Sequence, residues 1–366
     1  MTGKRLLSCI AALLSCLSIY ARQESSFVHR VGVSVRPAWN QMLWDFYQGD
    51  NPSGRPIPKN TSVHFQYSFM FPKGSDLGDM FPTAYQGIGL APYTFHNRTA
   101  VGTPVALYVF QGGSLARLGR HFSLDYEWNF GATFGWKKSS VVGTSVNAFI
   151  DAALMLTWCP VPQFSVTAGV DAFHFSNGSV KLPNNGLNCL GVRVGATRTF
   201  GVERLPEAGR KNSRQPEDAH PFIEDLDIDL VLFGAPKQVW EYYSENRTFA
   251  VAGFNLNPMY QVNRVFRVGA SFDFQYDGSV SADHPSFGEN VSAGLSFRTE
   301  FVMPIFSLNI GAGYDIKQKG NNQRMYMLVA LKTWMTDSLF LHTGYMFRGI
   351  YYPEHLMLGV GWSFGR

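Results

Sequence analysis

The sequence is short of charge, and it has no long apolar run beyond its N-terminus. Charged residues make up 16% of the 366 positions, whereas they usually make up about a quarter of a soluble domain. Past residue 19, no unbroken apolar stretch reaches the ~20 residues that a membrane-spanning helix needs. These shortages argue against an ordinary soluble domain and against a bundle of membrane helices. The net charge of +4 predicts no nucleic-acid partner.

Cysteine is also scarce. The chain has four cysteines, and two of these, Cys159 and Cys189, are predicted at opposite ends of their strands, which is too far apart for a disulfide. No group of cysteines and histidines has the spacing of zinc ligands. We therefore predict neither a metal ion nor any other cofactor.

The sequence does contain a repeated alternation of period two. In segment 164–176 the even positions from Phe164 to Ala172 are apolar, whereas most odd positions carry small or polar residues. Segments 146–158, 190–200 and 291–303 follow the same pattern. Strands of a transmembrane barrel turn their apolar side to lipid and their polar side inward. The predicted fold class is therefore all-β, an antiparallel transmembrane β-barrel of about 14–16 strands, with two tandem eight-stranded barrels as the alternative.

The candidate strands begin near residues 29, 62, 86, 103, 121, 146, 163, 188, 224, 246, 263, 289, 305, 323, 338 and 356. We favour a single barrel over two, because the second half has no export signal of its own.

The predicted domain organisation follows from the N-terminal segment and from one charged stretch in the middle of the chain. Residues 1–21 have Lys4 and Arg5 before an apolar run, as in a secretory signal peptide. Residues 22–200 form the first half of the predicted barrel and residues 224–366 the second half. The stretch 201–223 between them is rich in charge and proline, and it predicts a periplasmic linker. An exported barrel belongs in the bacterial outer membrane.

One short stretch, "HFSNGSVKLPNNGLN", carries chemistry-bearing residues at the end of a predicted strand. His174 and Ser176 share one face because they are two residues apart. A hairpin brings Asn188 opposite them on the same outward face, at the end of the barrel that is predicted to lie outside the cell. Polar groups that point into lipid are costly, which makes the three residues a candidate functional site. The alternative is that they lie at the headgroup level, where polar side chains are ordinary.

The same stretch resembles the signature of the outer-membrane lipid A 3-O-deacylases, the PagL-type acyloxyacyl hydrolases. That resemblance implies a barrel whose catalytic pair faces the membrane and cleaves an ester-linked acyl chain from lipopolysaccharide. It makes His174 the general base and Ser176 the nucleophile. The motif's loop is filled by Asn177, Gly178, Pro183, Asn184 and Gly186. Of these, Asn177, Gly178 and Asn184 are expected on the substrate and oxyanion side.

The resemblance covers about sixteen residues, and the family's barrel length corresponds to roughly residues 25–200. At one position the sequence departs from the family, because its acidic third member falls on Asn188. An asparagine can accept a hydrogen bond from the imidazole and hold its tautomer, but it does not offset the charge of the imidazolium.

Three functional hypotheses remain open from the sequence. The leading one is a Ser-His esterase that removes an acyl chain from lipid A, with lipopolysaccharide and outer-membrane lipids as partners. The second is a non-catalytic barrel, either a porin, a transporter or a structural protein with a decayed site. The third is an adhesin-like barrel that acts through the long loop 37–61. No oligomeric state is predicted.

Overall fold

The structure is a computed structural model that describes residues 27–205, 226–263, 265–320, 323–348 and 352–365. Within these ranges the chain forms sixteen antiparallel strands, arranged as two closed barrels of eight strands each. β1 closes the first barrel by pairing with β8, and β9 closes the second by pairing with β16.

The strands of the first barrel are β1 Val28–Asn40, β2 Lys59–Met70, β3 Tyr85–Thr94, β4 Gly102–Arg117, β5 Phe122–Trp136, β6 Val146–Val161, β7 Phe164–Ser176 and β8 Leu187–Phe200. Those of the second are β9 Leu226–Lys237, β10 Phe249–Asn263, β11 Phe266–Asp277, β12 Val291–Val302, β13 Phe306–Lys317, β14 Met325–Trp334, β15 Leu339–Arg348 and β16 Tyr352–Phe364. The connections contain short helices at Asp45–Gln48, Asp76–Met80, Arg98–Val101 and Phe287–Asn290, and 3₁₀ turns at Val202–Arg204 and Trp240–Tyr242. None of the described helices is long and apolar enough to cross a membrane.

The antiparallel all-β class and the alternative of two tandem barrels are confirmed. The single barrel that the sequence favoured is wrong, and the reason is the pairing of the eighth strand. β8 returns to β1, with His29 opposite Phe200, so the first barrel is complete and leaves no edge for β9 to extend. The predicted signal peptide, residues 1–21, lies outside the described residues, as does most of the predicted linker 201–223.

The two faces of each strand follow the alternation in the sequence. Along β8, Leu190 and Val194 are 61% and 60% exposed, whereas Cys189 and Arg193 are buried. Exposed apolar side chains of this kind recur around both barrels. A closed barrel with an apolar outer belt and a polar interior is the form in which strands span a membrane.

The interior of the first barrel contains a cluster of buried charges, here called the first ionic cluster, which consists of Arg36, Arg193, Glu127, Asp151 and Asp171. Arg36 Nη1 lies 2.9 Å from Asp151 Oδ2, and Arg193 Nη1 lies 2.7 Å from Glu127 Oε1. An eight-stranded barrel has an interior just wide enough for side chains to fill. Within this cluster each arginine is paired with carboxylates, because an unpaired charge in such an interior would be costly.

The second barrel has an equivalent filling of its own. Lys332 Nζ lies 2.6 Å from Asp229 Oδ2, and Arg267 Nη1 lies 3.2 Å from Glu300 Oε1. All four side chains are buried. Each barrel thus has its own polar core as well as its own closure.

An aromatic contact joins the outer walls of the two barrels. The rings of Trp128 on β5 and Phe306 on β13 meet edge to face, with centroids 5.0 Å apart. Phe306 is on the outward phase of β13, where neighbouring positions would meet lipid, but it is only 4% exposed. Leu331, on the outward phase of β14, is buried as well. Protein therefore covers part of the belt of each barrel.

The connections 41–58, 95–101, 137–145 and 177–186 all lie at one end of the first barrel, which we call the motif end. The sequence motif therefore lies among four connections that can contact one another.

Candidate active site

The motif lies where β7 ends, and aromatic side chains on the inner face fix that strand end. Phe173 and Phe175 point into the barrel, where Phe175 packs against Trp136 and Phe149 with ring centroids 5.0 and 5.5 Å apart. Because side chains alternate along a strand, burying Phe173 and Phe175 turns His174 outward. A slip of one residue would reverse this arrangement and bury the imidazole instead.

His174 and Asn188 are direct partners in the pairing of β7 with β8. His174 Nδ1 lies 2.6 Å from Asn188 Oδ1. The amide of Asn188 is oriented by a third residue, since its Nδ2 donates to Gln41 Oε1 over 2.6 Å. Asn188 Oδ1 is therefore the acceptor, and His174 Nδ1 carries the proton. This tautomer leaves the lone pair of His174 Nε2 free to accept a proton.

Ser176 is held by the loop that follows it. Its Oγ accepts from the backbone N–H of Gly178 over 3.0 Å, and it lies 3.0 Å from Nδ2 and 3.1 Å from Oδ1 of Asn184. No hydrogen bond joins Ser176 to His174 in the part of the chain that the structure describes. The hydroxyl proton of Ser176 is donated to Asn184 Oδ1 rather than to the imidazole.

The loop 177–186 is held by hydrogen bonds within itself and by one from the connection 137–145. Asn184 Oδ1 accepts from the backbone N–H of Asn177 over 2.9 Å, and the Asn177 amide donates to Lys181 O over 2.6 Å. The backbone N–H of Gly143 donates to Pro183 O over 2.7 Å. The structure therefore brings Gly178 and Asn184 to the Ser176 hydroxyl, whereas the side chain of Asn177 is turned into the loop.

Gly186 leaves the space that the imidazole occupies. Its φ is +65°, a left-handed conformation that favours glycine. A Cβ at this position would lie 2.7 Å from Cε1 of His174. Two features thus favour glycine at position 186: the left-handed backbone conformation and the closeness of the His174 ring.

Sequence reasoning missed two residues that touch this site. Gln41 follows β1 and orients Asn188, although 147 positions separate the two residues. Gln238 belongs to the second barrel and contacts the loop 177–186 at Leu182. Both lie in connections, where no periodicity marks a residue as important.

Among the residues that the structure describes, the second barrel has no such constellation at its corresponding strand end. The last two outward positions of its seventh strand, β15, are Tyr345 and Phe347, where β7 has His174 and Ser176. The other His-x-Ser sequence, His284 and Ser286, lies in the connection 278–290 rather than in a strand.

The comparison with protein families concerns this second barrel. Residues 226–366 match the family model described as "Acyloxyacyl hydrolase, C-terminal domain". The resemblance to the PagL-type outer-membrane barrels is thereby confirmed, through a part of the chain different from the one that carries the motif. Together with the apolar belt, this match means that the chain is a protein of the bacterial outer membrane. No protein with a curated description matches the chain.

Several solved structures are similar to the chain. The outer membrane enzyme PagL is 14% identical with a TM-score of 0.31, over 45% of this chain and 97% of that one. Neisserial surface protein A is 8% identical with a TM-score of 0.32, over 48% of this chain and 98% of that one. The Yersinia pestis outer membrane protein Ail is 18% identical with a TM-score of 0.22, over 47% of this chain and 99% of that one.

Proposed function

We propose that the chain is an outer-membrane serine esterase that removes an ester-linked acyl chain from lipid A of lipopolysaccharide. In this proposal Ser176 is the nucleophile, His174 the general base, and Asn188 the residue that orients the imidazole. The observation that carries it is the outward-facing arrangement of a hydroxyl, an imidazole with a free Nε2 and a tautomer-fixing amide at one strand end. The match of residues 226–366 to an acyloxyacyl hydrolase family supports hydrolase chemistry.

The reaction would proceed as an acyl transfer to Ser176. His174 Nε2 takes the hydroxyl proton as Ser176 Oγ bonds to the ester carbonyl carbon, and negative charge moves to the carbonyl oxygen. The imidazolium then gives its proton to the departing sugar oxygen, which releases the deacylated lipid A. A water molecule, deprotonated by the same imidazole, cleaves the acyl-serine to give a free fatty acid and the original serine.

Two groups already close to Ser176 suit the developing negative charge. The backbone N–H of Gly178 and the side-chain amide of Asn184 both lie 3.0 Å from its Oγ in the resting enzyme. In this proposal both donors pass from Oγ to the carbonyl oxygen once Oγ has bonded to the ester carbon, and there they stabilise the tetrahedral intermediate. Asn184 is itself held through the Asn177 N–H, so its amide need not be ordered when substrate binds.

The position in the membrane suits a lipid substrate. Ser176 is the last residue of β7, so it lies at the rim of the apolar belt rather than at its centre. The ester bonds of lipid A lie at the corresponding level, between a polar sugar and apolar chains. With the motif end in the outer leaflet, the sugar would face the connections and the acyl chains would lie along β6, β7 and β8.

The barrel interiors and the connection 41–58 fit this proposal better than they fit a porin or an adhesin. Paired charges fill the centre of each barrel, which does not suit a porin. The connection 41–58, considered for an adhesin, buries Phe46, Tyr47 and Ile57 and brings Gln41 to Asn188. It therefore supports the site instead of projecting from the barrel.

The test is the activity of Ser176→Ala and His174→Ala on purified lipopolysaccharide in detergent, read by mass spectrometry of lipid A. Each substitution should lower the rate by at least about 10³-fold. Ser140→Ala, in an exposed connection at the same end, is the matched control and should keep full activity. Heat-modified gel mobility checks that every variant is folded. Wild-type rates in a folded Ser176→Ala variant would refute the assignment.

A further inference from the structure

A buried glutamine of the second barrel contacts the loop at the candidate active site of the first barrel. Gln238 lies in the connection between β9 and β10 and is 4% exposed. Its backbone N–H donates to Ser179 O over 2.8 Å, and its side-chain Oε1 accepts from the backbone N–H of Leu182 over 2.9 Å. Both partners belong to the loop 177–186 that holds Ser176.

The side chain of Gln238 is fixed from its own barrel. Its Nε2 donates to Thr248 Oγ1 over 3.0 Å and to Asn246 Oδ1 over 3.2 Å. These donations leave Oε1 as the atom that faces Leu182, because an amide has one donor end and one acceptor end. The side chain of Gln238 therefore links the second barrel to the loop through hydrogen bonds at both ends of its amide.

A second contact holds the beginning of the same loop. Gly178 has a φ of +66°, and a Cβ there would lie 2.5 Å from Cγ of Leu356 on β16. The backbone N–H of this same Gly178 donates to Ser176 Oγ. The loop is thus confined by the second barrel at Gly178 and at Leu182.

Displacement at Leu182 would reach the site through two peptide units. Pro183 follows it, and Asn184 comes next, with its amide against the Ser176 hydroxyl. Leu182 is itself buried, so loss of its acceptor would leave a buried N–H without a partner, which the chain relieves by moving the loop. Small misplacements of catalytic groups cost large factors in rate.

From these contacts we propose that the second barrel is a positioning element for the site in the first, and that Gln238 is the positioning residue. This inference rests on the proposed function for its effect on rate, but the contact itself is independent of any activity. It assigns a role to a barrel whose own seventh strand has Tyr345 and Phe347, instead of a histidine and a serine, at its last two outward positions.

The experiment compares Gln238→Leu with Gln275→Leu in the full chain. Gln238→Leu removes the acceptor for the Leu182 N–H. Gln275 is equally buried inside the second barrel, and the same change at that position tests for general damage. Two readouts are taken in detergent: hydrogen exchange of the segment 177–186, and kcat and KM for deacylation.

We expect Gln238→Leu to raise the exchange of the Leu182 amide and to lower kcat by about 10-fold with KM little changed. Gln275→Leu should match the wild type in both readouts. Unchanged exchange in Gln238→Leu would overturn the contact's role, and raised exchange with unchanged kcat would overturn its effect on the site. If the wild type itself does not deacylate, the proposed function fails, while the exchange readout still decides whether Gln238 positions the loop.

Discussion

Replacing Asn188 by aspartate would add a charge beside His174 while keeping the shape of the side chain. Asn188 Oδ1 lies 2.6 Å from His174 Nδ1, and an aspartate oxygen can take the same place. The second carboxylate oxygen would face Gln41, whose amide can turn over so that it donates instead of accepting. We expect Asn188→Asp to be more active than the wild type, because the imidazolium formed during attack gains a counter-charge.

The size of the gain follows from the kind of hydrogen bond. A neutral hydrogen bond contributes about 1 kcal/mol and one to a charged group about 1.5–3 kcal/mol. The difference between the two kinds of hydrogen bond is therefore about 0.5–2 kcal/mol. A gain of about 1 kcal/mol in the transition state raises kcat by about 5-fold. In Asn188→Leu the imidazole loses its acceptor, and the corresponding loss of about 1–3 kcal/mol lowers kcat by about 5- to 150-fold.

The assay is the initial rate of acyl release from purified lipopolysaccharide in detergent, for the wild type, Asn188→Asp and Asn188→Leu. Ser176→Ala supplies the background rate. Equal rates for the wild type and Asn188→Leu would mean that position 188 does not orient His174. A slower Asn188→Asp variant would refute the argument from charge, since it would show that no positive imidazolium develops in the slow step.

Two further substitutions have matched controls within the chain. Gly186→Ala should lower kcat by about 10-fold or more, because its Cβ would push the His174 ring aside, whereas Gly54→Ala, which has the same φ of +65° but open space around its Cβ, should keep full activity in the same assay. Arg193→Met should lower the temperature at which the barrel loses its folded gel mobility, since it unpairs carboxylates of the first ionic cluster at a cost of about 3–5 kcal/mol. Arg198→Met, an exposed position on the same strand, should leave that temperature unchanged, and equal shifts in both variants would contradict the role of the cluster.

The sequence was sufficient to predict which face of β7 carries the motif. Even and odd positions of segment 164–176 differ in polarity, so the side on which His174 and Ser176 lie could be read without a structure. Closure could not be read in this way. A strand in a sixteen-stranded barrel and one in an eight-stranded barrel alternate alike, and the difference depends on whether β8 meets β1, as it does at His29 and Phe200.

The supporting residues of the site were beyond sequence reasoning for a different reason. Gln41 and Gln238 are single amides in connections, separated from their partners by 147 and 56 positions. Their effect depends on which loops meet at the motif end, and loop conformation has no periodic signal in the sequence. The motif itself was visible because its residues are close together along the chain.

The contact between Trp128 and Phe306 also limits the part of the first barrel's wall that a membrane lipid can reach. Where these rings meet, protein covers the wall of the first barrel. A molecule diffusing in the plane of the leaflet meets the barrel only along the remaining arc, where Ile150, Val170 and Leu190 are exposed beside the motif. Under the proposed function, substrate capture is a two-dimensional search along that arc. Crowding of the arc by other membrane proteins would slow the arrival of lipid and leave the proposed reaction at Ser176 unaltered.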